Sequence, residues 1–352
     1  MSTIVTRIRR QLAPAAKTLL LRAGGYRALR TLAPSRQIAI LRYHAVCGPE
    51  GYAYADPGIC VTPAAFEAHV AYLSSQYHVL PLPEAVQRIR DGRPLPANAV
   101  AITFDDGYAD NLEAARTLHR HGVVGTFYLT ADCLADGQPF WPTEIKTLVS
   151  RLEGPTVSIT VPQPQTLPLN TDDDRYRAVK LLTRLCKGNL IPVRDALRAE
   201  LRALAGLPYG PTPTMLTWEQ VGEMVRLGMD MGGHTLTHAN LPSAGPDDAW
   251  REIDGCRRAL RARLGVEVTQ FSYPNGGAER YHTEDLHRLA ERAGFTGAAT
   301  SSNGFASLAS DPYAMERVEI EERLEDLVFA LEVERFAFRP QPRPARPWTP
   351  AT

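Results

Sequence analysis

Two short segments of the chain carry side chains whose types and spacing suit hydrolytic chemistry. In the first, residues 102–107, an apolar run ends in the adjacent carboxylates Asp105 and Asp106 and a glycine. Because neighbouring residues point in different directions, the two carboxylates can take different roles. Taken alone, an Asp-Asp-Gly sequence also fits an ordinary turn. The segment therefore predicts a site only when other polar groups join it.

The second segment, residues 231–238, ends in two histidines. Two glycines precede His234, and His238 follows at the i, i+4 position. On one helical turn this spacing places both imidazoles on one face, within reach of a single metal ion. The chain has nine histidines, so such a pair can also arise by chance. Together with the first segment, however, two histidines and one carboxylate form the three-ligand set with open positions that metal hydrolases need, and the second carboxylate is left as general base.

The elements predicted around these segments are strands alternating with helices. Residues 37–130 and the chain from residue 216 onward show short β-rich runs separated by helical patterns, which indicates parallel βα units. In such folds the carboxyl ends of the strands meet at one face, where sites collect. Residues 131–215 break the rhythm and predict a helical insertion.

Composition narrows the classes of protein that the chain can be. Its 352 residues are 44% hydrophobic and carry no net charge, which excludes collagen-like, coiled-coil and wholly disordered proteins and argues against nucleic acid as the main partner. The five cysteines are scattered and form no CxxC pair, which predicts reduced thiols. No apolar run is long enough for a signal-peptide core or a membrane span, so a cytoplasmic location is expected.

The two ends of the chain differ from its body. Residues 1–36 are basic, contain no acidic residue and carry a helical apolar stripe at Ile4, Ile8 and Leu12. This amphipathic segment predicts either peripheral contact with an anionic inner-membrane surface or a solvated helix packed on the body. Residues 339–352 contain five prolines and are predicted to be a disordered tail.

The two chemical segments resemble motifs of the polysaccharide deacetylases (carbohydrate esterase family 4, the NodB homology domain). Residues 103–107, Thr-Phe-Asp-Asp-Gly, and residues 234–238, His-Thr-Leu-Thr-His, resemble the first two motifs of that family. Residues 40–44, 125–128, 216–218 and 271–276 resemble further family segments in the same order. The resemblance implies one domain over residues 37–338, folded as a distorted (β/α) barrel of about seven parallel strands. It also implies one divalent metal, usually Zn²⁺, and hydrolysis of an N-acetyl group on an amino sugar.

The resemblance also implies roles for the residues that match these two motifs. Asp106, His234 and His238 correspond to the metal ligands, and Asp105 corresponds to the general base. This agrees with elementary chemistry, because a metal lowers the pKa of its bound water and polarises the amide carbonyl, while the carboxylate takes the proton of the water.

The third motif and the general acid depart from the family pattern. The segment 271–276 would supply a backbone N–H near Asn275 for the oxyanion, with Tyr273 and Asn275 as the substrate-side residues. It lacks the arginine that steadies the base in many members, and Arg317 is predicted to substitute for it. The late histidine acid is missing too, since no histidine follows His287. In members that act on biofilm poly-N-acetylglucosamine a histidine near the first strand is the acid, and His44 matches it; its other interpretation is a buried histidine hydrogen-bonded at a strand end.

Two functions of different classes follow from these residues. The first is a metal-dependent N-deacetylase of bacterial envelope or exopolysaccharide metabolism, acting on a polysaccharide, an oligosaccharide or a lipid-linked saccharide. The second is a catalytically impaired saccharide-binding protein that retains the barrel and the metal site, which the two missing residues favour. The intact carboxylate pair favours the enzyme, because a binding protein needs no base beside a metal site.

Overall fold

The computed structural model describes residues 14–135, 137–210, 212–275 and 281–338. Strands of two kinds occur in it: those of a central parallel sheet and those of a small antiparallel hairpin. In chain order the strands are β1 (Ile38–Tyr43), β2 (His78–Val79), β3 (Ala99–Phe104), β4 (Gly125–Leu129), β5 (Thr156–Ile159), β6 (Gln165–Pro168), β7 (Asp230–Gly233), β8 (Gln270–Ser272), β9 (Gly297–Asn303) and β10 (Met315–Glu319).

Seven parallel strands close into a barrel. Around it the order is β1, β10, β9, β8, β7, β4 and β3, and β1 pairs with β3 along its whole length to complete the ring. Strand β2 pairs with the first two residues of β3, which precede the part of β3 that pairs with β4. The predicted distorted barrel of about seven parallel strands is therefore confirmed.

Helices cover the outside of the barrel, as parallel strands buried on both faces require. They are α1 (Pro14–Arg22), α2 (Gly25–Leu32), α3 (Pro63–Gln76), α4 (Leu82–Asp91), α5 (Asn111–Arg120), α6 (Trp141–Arg151), α7 (Asp172–Gly188), α8 (Ile191–Ala205), α9 (Trp218–Arg226), α10 (Leu241–Ala244), α11 (Pro246–Leu264), α12 (Glu284–Arg292) and α13 (Leu324–Glu332). Every residue of β3 and β4 is buried. The rings of Phe104 and Phe127, on these two strands, stack with their centroids 4.5 Å apart.

The segment between β4 and α9 carries α6, the β5–β6 hairpin, α7 and α8. Its apolar side chains form a cluster of their own, with Trp141, Leu182 and Leu201 among the buried members. Residues of α6 and α7 line the cavity described below, so this segment forms one wall of the site.

The described part of the basic N-terminal segment forms two short helices instead of one. Gly24, with φ of 75°, separates α1 from α2. Both helices pack on α13 through ion pairs: Lys17 with Asp326 at 2.7 Å, which is partly buried, and Arg30 with Glu332 at 3.0 Å, which is buried. Two of the basic side chains therefore point inward.

Two predictions on the ends of the chain remain predictions. The apolar stripe of the first 13 residues and the proline-rich tail at 339–352 lie outside the described residues. Among the residues that the structure describes, no helix is long and apolar enough to cross a membrane.

Candidate active site

The polar residues predicted from the sequence meet at the carboxyl ends of the barrel strands. His44 follows β1, the pair Asp105 and Asp106 follows β3, and His234 follows β7. These residues line one cavity of about 560 Å³. The strand ends form its floor, and α6, α7 and the loop at residues 54–59 form one side. The cavity has the size that small-molecule and saccharide sites commonly have.

Asp106, His234 and His238 form a compact group that suits a metal ion. The Oδ1 atom of Asp106 lies 3.3 Å from Nε2 of His234 and 3.2 Å from Nε2 of His238, and all three side chains are buried. Ligands about 2.0–2.1 Å from a tetrahedral Zn²⁺ are separated by ~3.3 Å, so both separations match two edges of such a tetrahedron. In the described part of the chain, these three residues form the group of possible metal ligands whose ligand atoms lie close enough together to hold one ion. The residues present therefore fit a zinc-type ion with a free coordination position.

The outer ring nitrogen of His234 has a partner that fixes its orientation. Nδ1–H of His234 donates to the carbonyl oxygen of Ser272 at 2.8 Å, which leaves the Nε2 lone pair directed at Asp106. His238 is held through its backbone, because Nε1–H of Trp141 donates to its carbonyl oxygen at 3.0 Å. Its buried Nδ1 has no hydrogen-bond partner within the described part of the chain.

The histidine segment is a loop, so the predicted helical turn is wrong. Thr235 has φ of 67° and His238 has φ of 54°, values that a right-handed helix does not contain. Contacts from outside the loop hold it. The carboxylate of Glu252, on α11, accepts from the backbone N–H of Thr237 at 2.8 Å and from its hydroxyl at 2.6 Å. The guanidinium of Arg194, on α8, donates to the Thr237 hydroxyl at 3.2 Å.

Glu252 and Arg194 are positioning residues that sequence reasoning missed. Both are buried charged side chains on otherwise amphipathic helices. An unusually placed charge on the inner face of a helix is the only sequence signal that could have identified them.

Asp105 is held by a guanidinium whose donors are all used. Nη1 and Nη2 of Arg317 donate to the two carboxylate oxygens of Asp105 at 2.7 and 2.6 Å. The remaining donors bind the hydroxyls of Thr103 and Ser272 at 3.2 and 3.1 Å and the carbonyl oxygen of Thr300 at 2.8 Å. The side chain of Arg317 is fully buried and links β10 to β3, β8 and β9. The structure thus brings Arg317 to the position where the sequence placed a base-steadying residue.

This ion pair determines the charge state of Asp105. Burial raises the pKa of Asp105, but the charge and hydrogen bonds of Arg317, together with the charges of His234 and His44, outweigh burial and hold the pKa well below its usual range. Asp105 therefore remains an ionised proton acceptor throughout the neutral and mildly acidic range.

His44 reaches the cavity but is not charged there at neutral pH. Its Nε2 lies 3.7 Å from Oδ2 of Asp105, and burial lowers the pKa of His44 to about 4 despite that neighbour. An imidazole with this pKa is neutral at pH 7. The predicted general acid therefore carries no positive charge at the start of the reaction. To act as a proton donor, His44 must first receive a proton during the reaction, and the Asp105 carboxylate 3.7 Å away is placed to supply it.

The two substrate-side predictions in the third motif have different outcomes. Tyr273 lies in the apolar core and does not line the cavity; its hydroxyl donates to the carbonyl oxygen of Tyr313 at 3.1 Å, and its backbone N–H donates to Ala299. Neither group can reach a substrate, so the structure contradicts a substrate-side position for Tyr273. Asn275 does line the cavity, and the polar atoms of its side-chain amide are buried without a partner among the described residues.

Comparison with known proteins gives matches in both sequence and structure. A family model described as polysaccharide deacetylase matches residues 188–298, which include the histidine segment. YxkH of Bacillus subtilis (strain 168), whose name places it among the polysaccharide deacetylases, is 21% identical over 308 residues, 87% of this chain and 79% of its own.

Solved structures show the same fold. The Streptococcus pyogenes deacetylase PplD, in complex with acetate, aligns with a TM-score of 0.55 at 20% identity, over 85% of this chain and 99% of its own. A polysaccharide deacetylase from Bacillus cereus aligns with a TM-score of 0.53 at 18% identity, over 85% of this chain and 69% of its own. IcaB from Ammonifex degensii aligns with a TM-score of 0.53 at 16% identity, over 85% of this chain and 98% of its own. These matches, together with the two motifs at one end of the barrel, confirm the resemblance of this chain to the polysaccharide deacetylase family.

Proposed function

We propose that this chain is a metal-dependent hydrolase that removes N-acetyl groups from amino sugars of a polysaccharide, an oligosaccharide or a lipid-linked saccharide. The observation that carries the proposal is the side-by-side placement of two units in one cavity: the ligand group of Asp106, His234 and His238, and the Asp105–Arg317 pair. A saccharide-binding protein has no use for an ionised acceptor held beside a metal site. Cleavage of an amide by water needs both.

The chain's own residues have separate tasks in this reaction. A divalent ion, most simply Zn²⁺, would supply Lewis-acid activation of water and of the amide carbonyl. Asp105 accepts the proton of the attacking water on the carboxylate that Arg317 orients. His44, neutral beforehand and with its Nε2 3.7 Å from Oδ2 of Asp105, takes this proton from Asp105 and passes it to the leaving amine. Asn275, which lines the cavity beside these groups, would contact the substrate or the oxyanion.

The test combines metal analysis with acetate release. We expect the purified protein to bind one divalent ion and to release acetate from short chito-oligosaccharides. Asp105→Asn should keep the ion and lose about 10²-fold or more in turnover, because the amide cannot accept a proton. Bound metal without acetate release from any N-acetylated saccharide would favour the saccharide-binding alternative.

We also propose that the protein works in the cytoplasm at the surface of the inner membrane, in envelope or exopolysaccharide metabolism. Support comes from the exposed side chains of α1 and α2, which include both large apolar and basic residues. Leu19 and Leu32 are 68% and 84% exposed, and Arg22 and Arg27 are exposed on the same two helices. Such side chains suit the boundary of an anionic lipid surface, where each basic residue contributes about 1 kcal/mol.

Vesicle sedimentation tests this placement. We expect the full chain to sediment with phosphatidylglycerol vesicles more than with phosphatidylcholine vesicles, and the double variant Leu19→Ser/Leu32→Ser to lose most of that binding. Leu204→Ser, which removes an exposed leucine from α8, is the matched control. Equal sedimentation of all three proteins would contradict membrane contact through these helices.

A further inference from the structure

The wall that the insertion adds to the cavity is rich in lysine. Lys146 of α6 and Lys180 and Lys187 of α7 all line the same cavity as the metal-binding group. A neutral oligosaccharide needs hydroxyl-bonding groups and aromatic faces, and ammonium groups add little to its recognition. The contacts of each ammonium group therefore indicate what that lysine binds.

Two of the three ammonium groups already have acceptors within the protein. Nζ of Lys180 lies 2.8 Å from Oδ2 of Asp56. Nζ of Lys146 donates to the carbonyl oxygens of Tyr52 and Ala55, both at 2.6 Å. These two lysines attach the insertion to the loop that follows β1, which is a structural role.

Arg42, on the facing side of the cavity, is occupied in the same way. Its guanidinium donates to the carbonyl oxygen of Ser301 at 2.7 Å and lies 3.7 Å from Glu319. The two carboxylates that line the cavity outside the catalytic pair, Asp56 and Glu319, are thus each matched with a cation.

Lys187 is different, because its ammonium has no hydrogen-bond acceptor or carboxylate partner in the part of the chain that the structure describes. Its described neighbour is the ring of Tyr281, with Nζ 5.9 Å from the centroid. The side chain is partly buried, so water solvates it incompletely. The backbone of Lys187 is held in place, because the side-chain amide of Asn240, two residues beyond His238, donates to the Lys187 carbonyl oxygen at 2.7 Å. The end of α7 is thereby tied to the histidine loop.

The charge of Lys187 also acts toward the metal-binding group. Burial lowers the pKa of Lys187, and the negative charge of Asp106 opposes this shift. A partly desolvated cation next to a site for a second cation is unfavourable unless an anion joins them. Asp106 is itself one of the residues that would hold the second cation, and no described carboxylate forms an ion pair with the Lys187 ammonium.

We propose that Lys187 binds an anionic group, a carboxylate or a phosphate, carried by the saccharide next to the N-acetylated sugar. This inference rests on the proposed deacetylase function and makes its substrate class narrower: an acidic saccharide in place of a neutral one. Lys187 is then a specificity-determining residue that the insertion contributes to the barrel site.

Acetate release from three probes tests the proposal. The probes are neutral N-acetylchitotetraose, a hyaluronan tetrasaccharide, which carries carboxylates, and UDP-N-acetylglucosamine, which carries a diphosphate. We expect the wild-type protein to have a higher kcat/KM on one of the anionic probes than on the neutral one. In Lys187→Gln the ratio of anionic to neutral kcat/KM should fall about tenfold or more, mainly through KM, since a hydrogen bond to a charged group is lost. Whichever anionic probe is preferred identifies the anion as a carboxylate or a phosphate.

Lys180→Gln is the matched control, because it removes an ammonium from the same helix and the same cavity that already has a protein partner. Its selectivity ratio should remain close to that of the wild type. A wild-type protein without preference for either anionic probe would overturn the inference, and so would an equal loss on all three probes in Lys187→Gln. In both cases acetate release would still support the deacetylase function.

Binding measured without turnover separates the two proposals further. Asp105→Asn should bind the preferred anionic probe about tenfold or more tightly than Asp105→Asn/Lys187→Gln does, as measured by isothermal titration calorimetry. If this difference appears while the wild-type protein releases no acetate, Lys187 recognises an anionic saccharide and the deacetylase function is wrong. If the two variants bind the probe equally, the role of Lys187 is overturned.

Discussion

Replacement of Arg317 by glutamine should produce a loss of stability that depends on pH in a definite direction. Arg317 is fully buried, and its five donors all have acceptors, two of them on Asp105. The variant leaves the buried carboxylate without its cation. Breaking a buried ion pair in this way typically costs about 3–5 kcal/mol, and we expect a decrease of that order in the free energy of unfolding at pH 7.

The sign of the pH effect follows from the pKa of Asp105. In the wild-type protein burial raises this pKa, but Arg317, with smaller contributions from His234 and His44, lowers it more, so the folded value lies below the unfolded one. The pair therefore stabilises the protein above the unfolded pKa of about 4, and this contribution is lost as the pH falls below it. Without Arg317, burial is the largest remaining influence, and we expect it to raise the pKa above the unfolded value. The difference in free energy of unfolding between the wild type and Arg317→Gln should thus be largest at neutral pH. It should decrease as the pH falls through the raised pKa of Asp105 in the variant.

Denaturant unfolding of four proteins provides the measurement: the wild type, Arg317→Gln, Asp105→Asn and the double variant. Asp105→Asn should destabilise the wild type, because it leaves Arg317 uncompensated, but it should restore part of the stability of Arg317→Gln, because it removes the unpaired charge. The acid limb of the kcat/KM profile of Arg317→Gln should also move to higher pH. If Asp105→Asn lowers the free energy of unfolding by the same amount in the wild type and in Arg317→Gln, the reasoning is refuted.

Other changes at the site should have separable effects. His234→Ala and His238→Ala should each remove most of the bound metal, whereas His78→Ala, at an exposed position, should not; full metal occupancy in both site variants would contradict the ligand assignment. His44→Ala should keep the metal and lose about 10²–10⁴-fold in turnover; since the pKa of His44 is about 4, the alkaline limb of the profile should persist in this variant. Glu252→Gln should weaken metal binding about 10–100-fold in a chelator competition, because Glu252 holds the loop that carries His238.

The sequence pattern was sufficient for parallel βα units and for the convergence of the polar residues, and the resemblance to the deacetylase family implied the barrel. A buried run that ends in polar residues marks the carboxyl end of a strand, and parallel strands place all such ends on one face. This rule places His44, Asp105 and His234 together. Arg317 was predicted only as a substitute for the arginine that the third motif lacks; its strand, β10, is separated from β3 by β1, so the reach of its side chain to Asp105 is shown by the structure.

The same rule could not show which way a side chain near a strand end points. Tyr273 and Asn275 are two residues apart, yet Tyr273 is buried in the core and Asn275 lines the cavity. The direction depends on the backbone after β8: the N–H of Tyr273 still donates to Ala299 of β9, whereas Asn275 has already turned to φ of 74°. Burial of His44 was equally hidden, since its low pKa arises from what the rest of the barrel packs around it.

The local backbone of the site explains why spacing alone misassigned the histidine segment. Asp106, Thr235, His238 and Asn275 all have positive φ, a region that costs a residue other than glycine about 1–2 kcal/mol. A β-branched residue such as Thr235 has no local preference for this region, so nothing in the i, i+4 pattern distinguishes a strained loop from a helical turn. The loop persists because α6 and α8 of the insertion, together with α11, hold it from outside. Their contacts join residues far apart in the chain. The ligand geometry at His238 is therefore a property of the whole fold, and changes remote from the metal-binding group should alter metal affinity.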